Sequence, residues 1–433
     1  MKVGCLGNMN NMFFCLVRYL RDRGVDAHLI QQPDELPQFH PSHDAFDLGY
    51  REFTSTAEWA GRFLSSSKEA IARDLAEYGF LIVTGTLLAY VERAGRVADV
   101  FFPHGSDLYK WPFFPSTIRW DQRLRQRSVV AMLESLKAGI RHATIVNQED
   151  RNSLYREALG RLGVIDRTEY FGTPMTYSPP FHSTSMGELR TRSAWFHEFA
   201  RVRSQSSLMI VNHARQQWQT VSDCPSKGSD RLIRGFAELV RRRPDVTPVL
   251  VLLEYGDDVG ASKALVESLG IGRWVEWFPL MARKEIMLGL LQADFGCGEF
   301  HEGCIGGGTT WEVLALGKPL LHYVDQDNVN FDAFTGPYPV VNVKEPHTIA
   351  DSLEDFARRP SFYRQLGSDG RRWFEENLIG RSVDTYVELI HAKERGDDLL
   401  QVARRCVTRS VDTSATEAMQ LGSSFGAHNG REV

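Results

Sequence analysis

The stretch EFHEGCIGGGTTWEVLALGKP (Glu299–Pro319) sets two acids and a histidine ahead of three consecutive glycines, and a short apolar helix follows. Three glycines in a row cost conformational entropy on folding, so the run marks a backbone that must come close to a partner. A helix starting directly after it aims its N–H groups and the positive end of its dipole at that partner, which favours an anion. Gly306, Gly307 and Gly308 are the candidate cradle, with Thr309 and Thr310 as hydroxyl donors. Glu299 and Glu302 precede it, and Glu312 lies one turn into the helix. His104, in ADVFFPHG, follows a buried-strand candidate and precedes a glycine. Ligands of α/β sheets collect at the carboxyl ends of strands, so a ligand contact is expected there.

Composition bounds what these residues can serve. The 433 residues are 42% hydrophobic and 24% charged, ordinary for a globular protein and enough for two cores. A net charge of −5 argues against a dedicated nucleic-acid binder, which would show a strongly basic domain. The basic clusters at Arg119–Arg127 and Arg241–Asp245 read as solvated helix faces. Six scattered cysteines form no disulfide framework and suggest a reducing compartment. Cys297, His301 and Cys304 fit no common zinc spacing, so no metal site is expected. The N-terminal apolar run is broken by Gly7, Asn8, Asn10 and Asn11, unlike a signal peptide, and no segment reaches the ~18–20 apolar residues of a membrane span. The expected location is the cytoplasm, with at most peripheral contact at the inner face of a membrane.

The elements that must position the candidates alternate. MKVGCLG reads as a strand, NNMFFCLVRYLRDRG as an amphipathic helix ended by Gly24, and VDAHLI as the next strand. That is a βαβ unit, so a parallel sheet starts at the N-terminus. FLIVTG (Phe80–Gly85), ADVFFPHG (Ala98–Gly105) and HATIVN (His142–Asn147) continue it. EYFGTPMTYSPPFHSTS loosens into a Pro/Ser/Thr-rich passage, and a second βα series opens at SLMIVNHA (Ser207–Ala214). Its strands are VTPVLVLLE, VEWFP, ADFGCG and PLLHYV. The Trp/Phe-rich Leu108–Trp120 could be a lid or an acceptor surface, and core packing is the favoured reading. Two Rossmann-like doubly wound α/β domains in tandem are expected: an N-terminal domain over 1–185, a second over 186–375, a closing helix over 376–400 and an aperiodic flexible tail over 401–433.

With these motifs in this order, the chain resembles the GT-B fold, in which two such domains face each other across a cleft. Within that fold it is most similar to family four of the retaining glycosyltransferases, over nearly all of residues 1–395. GNMNNMFF resembles the family's glycine/asparagine turn after the first strand, and FFPHGSDLY its HGSD segment. NHARQQW with KGSDRLIRGFAEL resembles the paired arginine and lysine–glycine motif, and FGCGEFHEGCIGGGTTWEVLALGKPLL the acidic signature before the nucleotide-binding helix. RRPSFYRQLGSDGRRWFEENL is similar to the closing helices that cross back to the first domain. The chain departs in having nine residues between Glu302 and Glu312, more than the signature has, and a long loop between Arg215 and Lys227.

The resemblance implies a nucleotide-diphosphate sugar as donor, a hydroxyl acceptor taken up by the first domain, and no cofactor, metal ion or nucleic acid. Gly7 and Asn8 would join Gly306–Gly308, Thr309 and Thr310 on the donor. Arg215 and Lys227 would neutralise the leaving diphosphate in place of a metal. Glu312 would accept the ribose hydroxyls, since a carboxylate offers two acceptor oxygens. Glu302, or its rival Glu299, would face the sugar, as would His104. The alternatives are a nucleotide-sugar epimerase or hydrolase of the same fold, and a degenerate nucleotide-binding module.

Overall fold

Runs of consecutive buried apolar residues make the strands here, because a parallel sheet covered on both faces needs apolar side chains on both. The computed structural model describes residues 1–116, 126–150, 152–182, 186–220, 226–303, 306–325 and 337–408. Two compact units are formed over these residues, 1–177 with 377–408, and 178–325 with 337–376. The first division falls between Tyr177 and Ser178, inside the Pro/Ser/Thr-rich passage.

The first unit holds a seven-stranded parallel sheet in the order β3-β2-β1-β4-β5-β6-β7. The strands are β1 (Val3–Leu6), β2 (Ala27–Gln31), β3 (Thr54–Thr56), β4 (Phe80–Val83), β5 (Val100–Phe101), β6 (Ile145–Asn147) and β7 (Thr168–Glu169). β1 lies between β2 and β4, with Cys5 opposite Leu29 on one side and Ile82 on the other. The turn after β1 is built by its asparagines. Asn10 and Asn11 take φ of 54° and 58°, a region that asparagine tolerates better than most residues, and the Asn8 side chain accepts the Phe14 N–H at 2.9 Å. That bond satisfies a donor in the first turn of the helix Met12–Asp22, as a cap does.

Residues 377–408 belong to this unit through bonds that reach the sheet. Tyr386 on the helix Arg381–Arg395 shares its hydroxyl with Thr173 (2.7 Å) and the Asn147 amide (3.0 Å), and Lys393 pairs with Asp99 at 2.6 Å. A helix over 399–408 follows and is pinned by the Arg404–Glu169 pair, so the aperiodic tail read from 401 begins later. The rest of that tail lies outside the described residues.

The second unit carries a six-stranded parallel sheet in the order β10-β9-β8-β11-β12-β13. Its strands are β8 (Leu208–Asn212), β9 (Pro248–Glu254), β10 (Val275–Pro279), β11 (Phe295–Cys297), β12 (Leu320–His322) and β13 (Val341–Asn342). Its core joins strand residues such as Ile210, Leu250 and Phe295 to Leu232, Phe236 and Ile233 of the helix Ser229–Arg242. Each such side chain contributes about 1.5–3 kcal/mol by burial. In both sheets the order reverses once, between β1 and β4 and between β8 and β11. Loops leaving the carboxyl ends of neighbouring strands part at such a point and open a crevice.

Candidate functional site

In the first unit that crevice is a cavity of about 370 Å³, bounded by the turns after β1 and β4 and by the segments after β2 and β5. Gly7 lines it at φ +93°, and a Cβ there would meet the Thr84 methyl at 2.7 Å, so the strands close up only around glycine. Thr84 donates its hydroxyl proton to the Phe102 carbonyl at 2.6 Å. The same oxygen must therefore accept from His104, which fixes the His104 proton on Nε2 and leaves a lone pair on Nδ1. Burial lowers the His104 pKa to about 4, so the ring is neutral at neutral pH. Asp107 accepts the His104 and Gly105 N–H groups at 2.8 and 2.9 Å through Oδ1, which holds the HGSD turn. Its burial nevertheless raises its pKa to about 6.

In the second unit the segments after β8, β10 and β11 bring charged residues together. Glu312, on the helix Gly308–Ala315, is 5% exposed. His213, the first residue past β8, reaches its Oε2 through Nε2 at 2.7 Å, and Arg283 Nε reaches Oε1 at 2.7 Å. Burial works against the charge on Glu312, but Arg283 and then His213 outweigh it and hold the carboxyl below the ordinary glutamate range. Lys227 forms an ion pair with Glu299 just past β11, both side chains being largely buried. The placement of Lys227 depends on Gly228, which caps the helix Ser229–Arg242 at φ +66°. A Cβ on Gly228 would press on the Phe300 backbone at 3.0 Å, and the Phe300 N–H bonds the Lys227 carbonyl at 3.0 Å. Lysine–glycine is therefore a docking unit, in which the glycine lets the loop lie against the end of β11.

The loop carrying Arg215 is anchored from behind. Asp258 accepts the N–H groups of Trp218, Gln219 and Thr220 and the Thr220 hydroxyl, and Gln216 exchanges backbone bonds with Tyr255 and Asp258. Burial opposes the Asp258 charge, yet the Thr220 hydroxyl and these N–H groups lower its pKa to about 2. The long loop thus keeps a fixed start next to Arg215, while residues 221–225 lie outside the described residues.

The expected site residues separate into two sets. Gly7, Asn8 and His104 line the cavity of the first unit. Arg215, Lys227, Glu302, Gly306–Gly308, Thr309, Thr310 and Glu312 follow the strand ends of the second, while 304–305 lie outside the described residues. The Asn8 side chain is spent on the turn, donating to Asn11 and accepting from Phe14, so what it offers a ligand is backbone. Gly306 takes φ +140°, and Gly307 is extended before the helix opens at Gly308. Thr309 is partly exposed, whereas Thr310 is fully buried with no bond to its hydroxyl. Glu302 is exposed and pairs with His301 at 2.9 Å, and Glu299 is the acid that meets Lys227.

Trp111 lines the first-unit cavity, correcting the reading of Leu108–Trp120 as core packing. Leu108 and Pro112 are buried and Tyr109 and Phe113 pack against the core, so the reading fails at Trp111 and Phe114, and residues 117–120 lie outside the described residues. His213, Arg283 and Asp258 were not singled out from sequence. His213 obeys the strand-end rule that picked out His104, whereas nothing local marks Arg283. Among the described residues no helix is long and apolar enough to cross a membrane.

No protein-family model and no curated protein matches the chain. Solved structures do resemble it over most of its length. A glycosyltransferase from Rickettsia africae aligns at TM-score 0.54 and 12% identity, covering 90% of this chain and 98% of its own. The sucrose-phosphate synthase of Thermosynechococcus elongatus aligns at 0.53 and 16%, covering 92% and 99%. HepE of Anabaena, solved with UDP and glucose, aligns at 0.52 and 13%, covering 89% and 98%. At such identities the likeness shows the fold: two Rossmann-like doubly wound domains in one chain, the GT-B class.

Proposed function

We propose that the protein is a retaining, metal-independent glycosyltransferase that moves a sugar from a nucleoside-diphosphate sugar to a hydroxyl acceptor. The observation that carries this reading is the arrangement at the β8/β11 reversal. Glycines open the helix Gly308–Ala315 that follows β11, and Lys227 pairs with Glu299 just past the end of that strand. Helix N–H groups and a lysine suit a diphosphate, and a carboxylate suits sugar hydroxyls. HepE, solved with UDP and with glucose, supports a uridine nucleotide as the first donor to try.

In the proposed reaction the bond from the anomeric carbon to the diphosphate oxygen breaks, and the acceptor oxygen bonds that carbon from the same face. The acceptor proton passes to the leaving phosphate oxygen, so no enzymic base is needed. Arg215 and Lys227 answer the charge that gathers on the diphosphate as the bond lengthens, which is where fixed charges accelerate a reaction most. Glu299 hydrogen-bonds the sugar, the ion pair to Lys227 and the burial favouring it over Glu302, and His104 in the first unit offers the lone pair of Nδ1 to a hydroxyl. Donor consumption separates this reading from its alternatives. A transferase releases nucleoside diphosphate slowly in water and fast with an acceptor, an epimerase or hydrolase turns over without one, and a binding module does neither.

A further inference from the structure

The cavity at the β1/β4 reversal has a charge pattern that transfer to a hydroxyl does not itself require. Leu36, Tyr109 and Trp111 give it apolar walls, while Glu35 and Asp107 both line it and Asp34 stands exposed among its lining. Asp107 is 2% exposed, and its Oδ2 is buried with no hydrogen-bond partner. The Oε2 of Glu35 is likewise buried with no hydrogen bond within range; burial raises the carboxyl's pKa to about 6, against the backbone N–H groups of Gln32 and Asn8 that face it. Among the described residues no lysine or arginine lines the cavity, and His104 is in its neutral form. Carboxylate oxygens in a cavity with apolar walls call for N–H or O–H donors, and an ammonium group supplies both donors and the balancing charge. A phosphate or carboxylate would meet like charge with no cation to offset it.

We propose that this cavity selects an acceptor that carries an ammonium group beside its hydroxyls, an amino sugar or amino polyol, and rejects one that presents a phosphate or carboxylate there. The inference rests on the reading of the protein as a transferase, with the first unit taking the acceptor. The ammonium donates to Glu35 and Asp107, the apolar walls cover the ring, and a hydroxyl is left to take the sugar.

Direct binding tests it without turnover. Glucosamine, glucose and glucose 6-phosphate are titrated against the full chain by ligand-observed NMR at pH 7, with UDP titrated separately into the same preparation. Glucosamine should bind about tenfold more tightly than glucose, the scale of one charged hydrogen bond, and glucose 6-phosphate most weakly. Glu35→Gln should cut the glucosamine preference to about threefold or less, by the same measure, and leave UDP binding unchanged. Equal binding of glucosamine and glucose, tighter binding of glucose 6-phosphate, no glucosamine binding, or a preference that survives Glu35→Gln would each overturn the proposal. The ranking on the unmodified protein stands even if the variant fails to fold. Absence of UDP binding would count against the transferase reading instead, so the two failures are distinguishable.

Discussion

His213 and Glu312 meet through Nε2 and Oε2 at 2.7 Å, joining the end of β8 to the helix that follows the glycine loop. Arg283 takes the other oxygen, so the carboxylate's first duty is inside the protein. A carboxylate has about four acceptor sites, and two bonds leave room for a ribose hydroxyl.

Glu312→Gln should therefore show two effects. Bare nucleoside diphosphate should bind more weakly by about 1–3 kcal/mol, and the fold should lose a similar amount because the charged bond from Arg283 to Glu312 is lost. Glu312→Ala should destabilise more, by about 3–5 kcal/mol. The folded carboxyl lies below its unfolded value, so this stabilisation is present above about pH 4.3 and fades as pH falls further. Isothermal titration with UDP and denaturant unfolding check both effects. Unchanged stability in Glu312→Ala would contradict the paired geometry.

Lys227→Ala and Arg215→Ala should lower kcat by the equivalent of about 2.7–4 kcal/mol while weakening donor binding less. Glu299→Gln should depress turnover and Glu302→Gln should not, since Glu299 is the buried partner of Lys227. Steady-state kinetics beside UDP titrations decide it, and a turnover loss confined to Glu302→Gln would reverse the assignment. Gly228→Ala should imitate Lys227→Ala in kcat and cost about 1–3 kcal/mol of stability, because its positive φ and the Phe300 backbone leave no place for a methyl.

His104→Ala should lower kcat and leave UDP affinity nearly unchanged. The ring stays neutral down to about pH 4, so no kcat/KM inflection between pH 5 and 8 should belong to it. A profile whose inflection near pH 6.5 vanishes in His104→Ala would show the ring titrating in the open instead.

Stability against pH provides a separate check on the first unit. An unfolded histidine titrates near 6.5 and His104 near 4, so its contribution is present above about pH 6.5 and lost as pH falls toward 4. Asp107 runs the other way: unfolded near 3.9 and folded about 6, it favours the fold below about pH 4 and loses that contribution as pH rises through 6. Relative to the unmodified protein, His104→Ala should gain about 1–2 kcal/mol on going from pH 7 to 5, and Asp107→Asn should lose about as much. Thermal unfolding at both pH values measures this, and parallel behaviour of the three proteins would place neither group in its present environment.

Much of the fold was readable because its central strands are runs of apolar residues buried on both faces. β1, β4, β8 and β9 all fall within stretches singled out from sequence. The strands missed were β3, β7 and β13, each at a sheet edge and only two or three residues long. Thr-Ser-Thr, Thr-Glu and Val-Asn bury too little to leave an apolar signature, as edge strands often do. The glycine loop, Lys227-Gly228 and His104 were visible because each marks a local backbone demand or a strand end. The pairing of Lys227 with Glu299, 72 positions apart, and of Arg283 with Glu312 depends on where whole loops land, which no local pattern encodes.

The transferase reading stands or falls most directly on time-resolved proton NMR of UDP-glucose and other nucleotide sugars, incubated with the full chain, EDTA and a panel of hydroxylated acceptors. The predicted result is acceptor-dependent release of nucleoside diphosphate, undiminished by the chelator. A new glycosidic anomeric signal should appear with the donor's own configuration. Release that ignores the acceptor, an isomerised sugar without transfer, an inverted product, or activity restored only by added metal would contradict it.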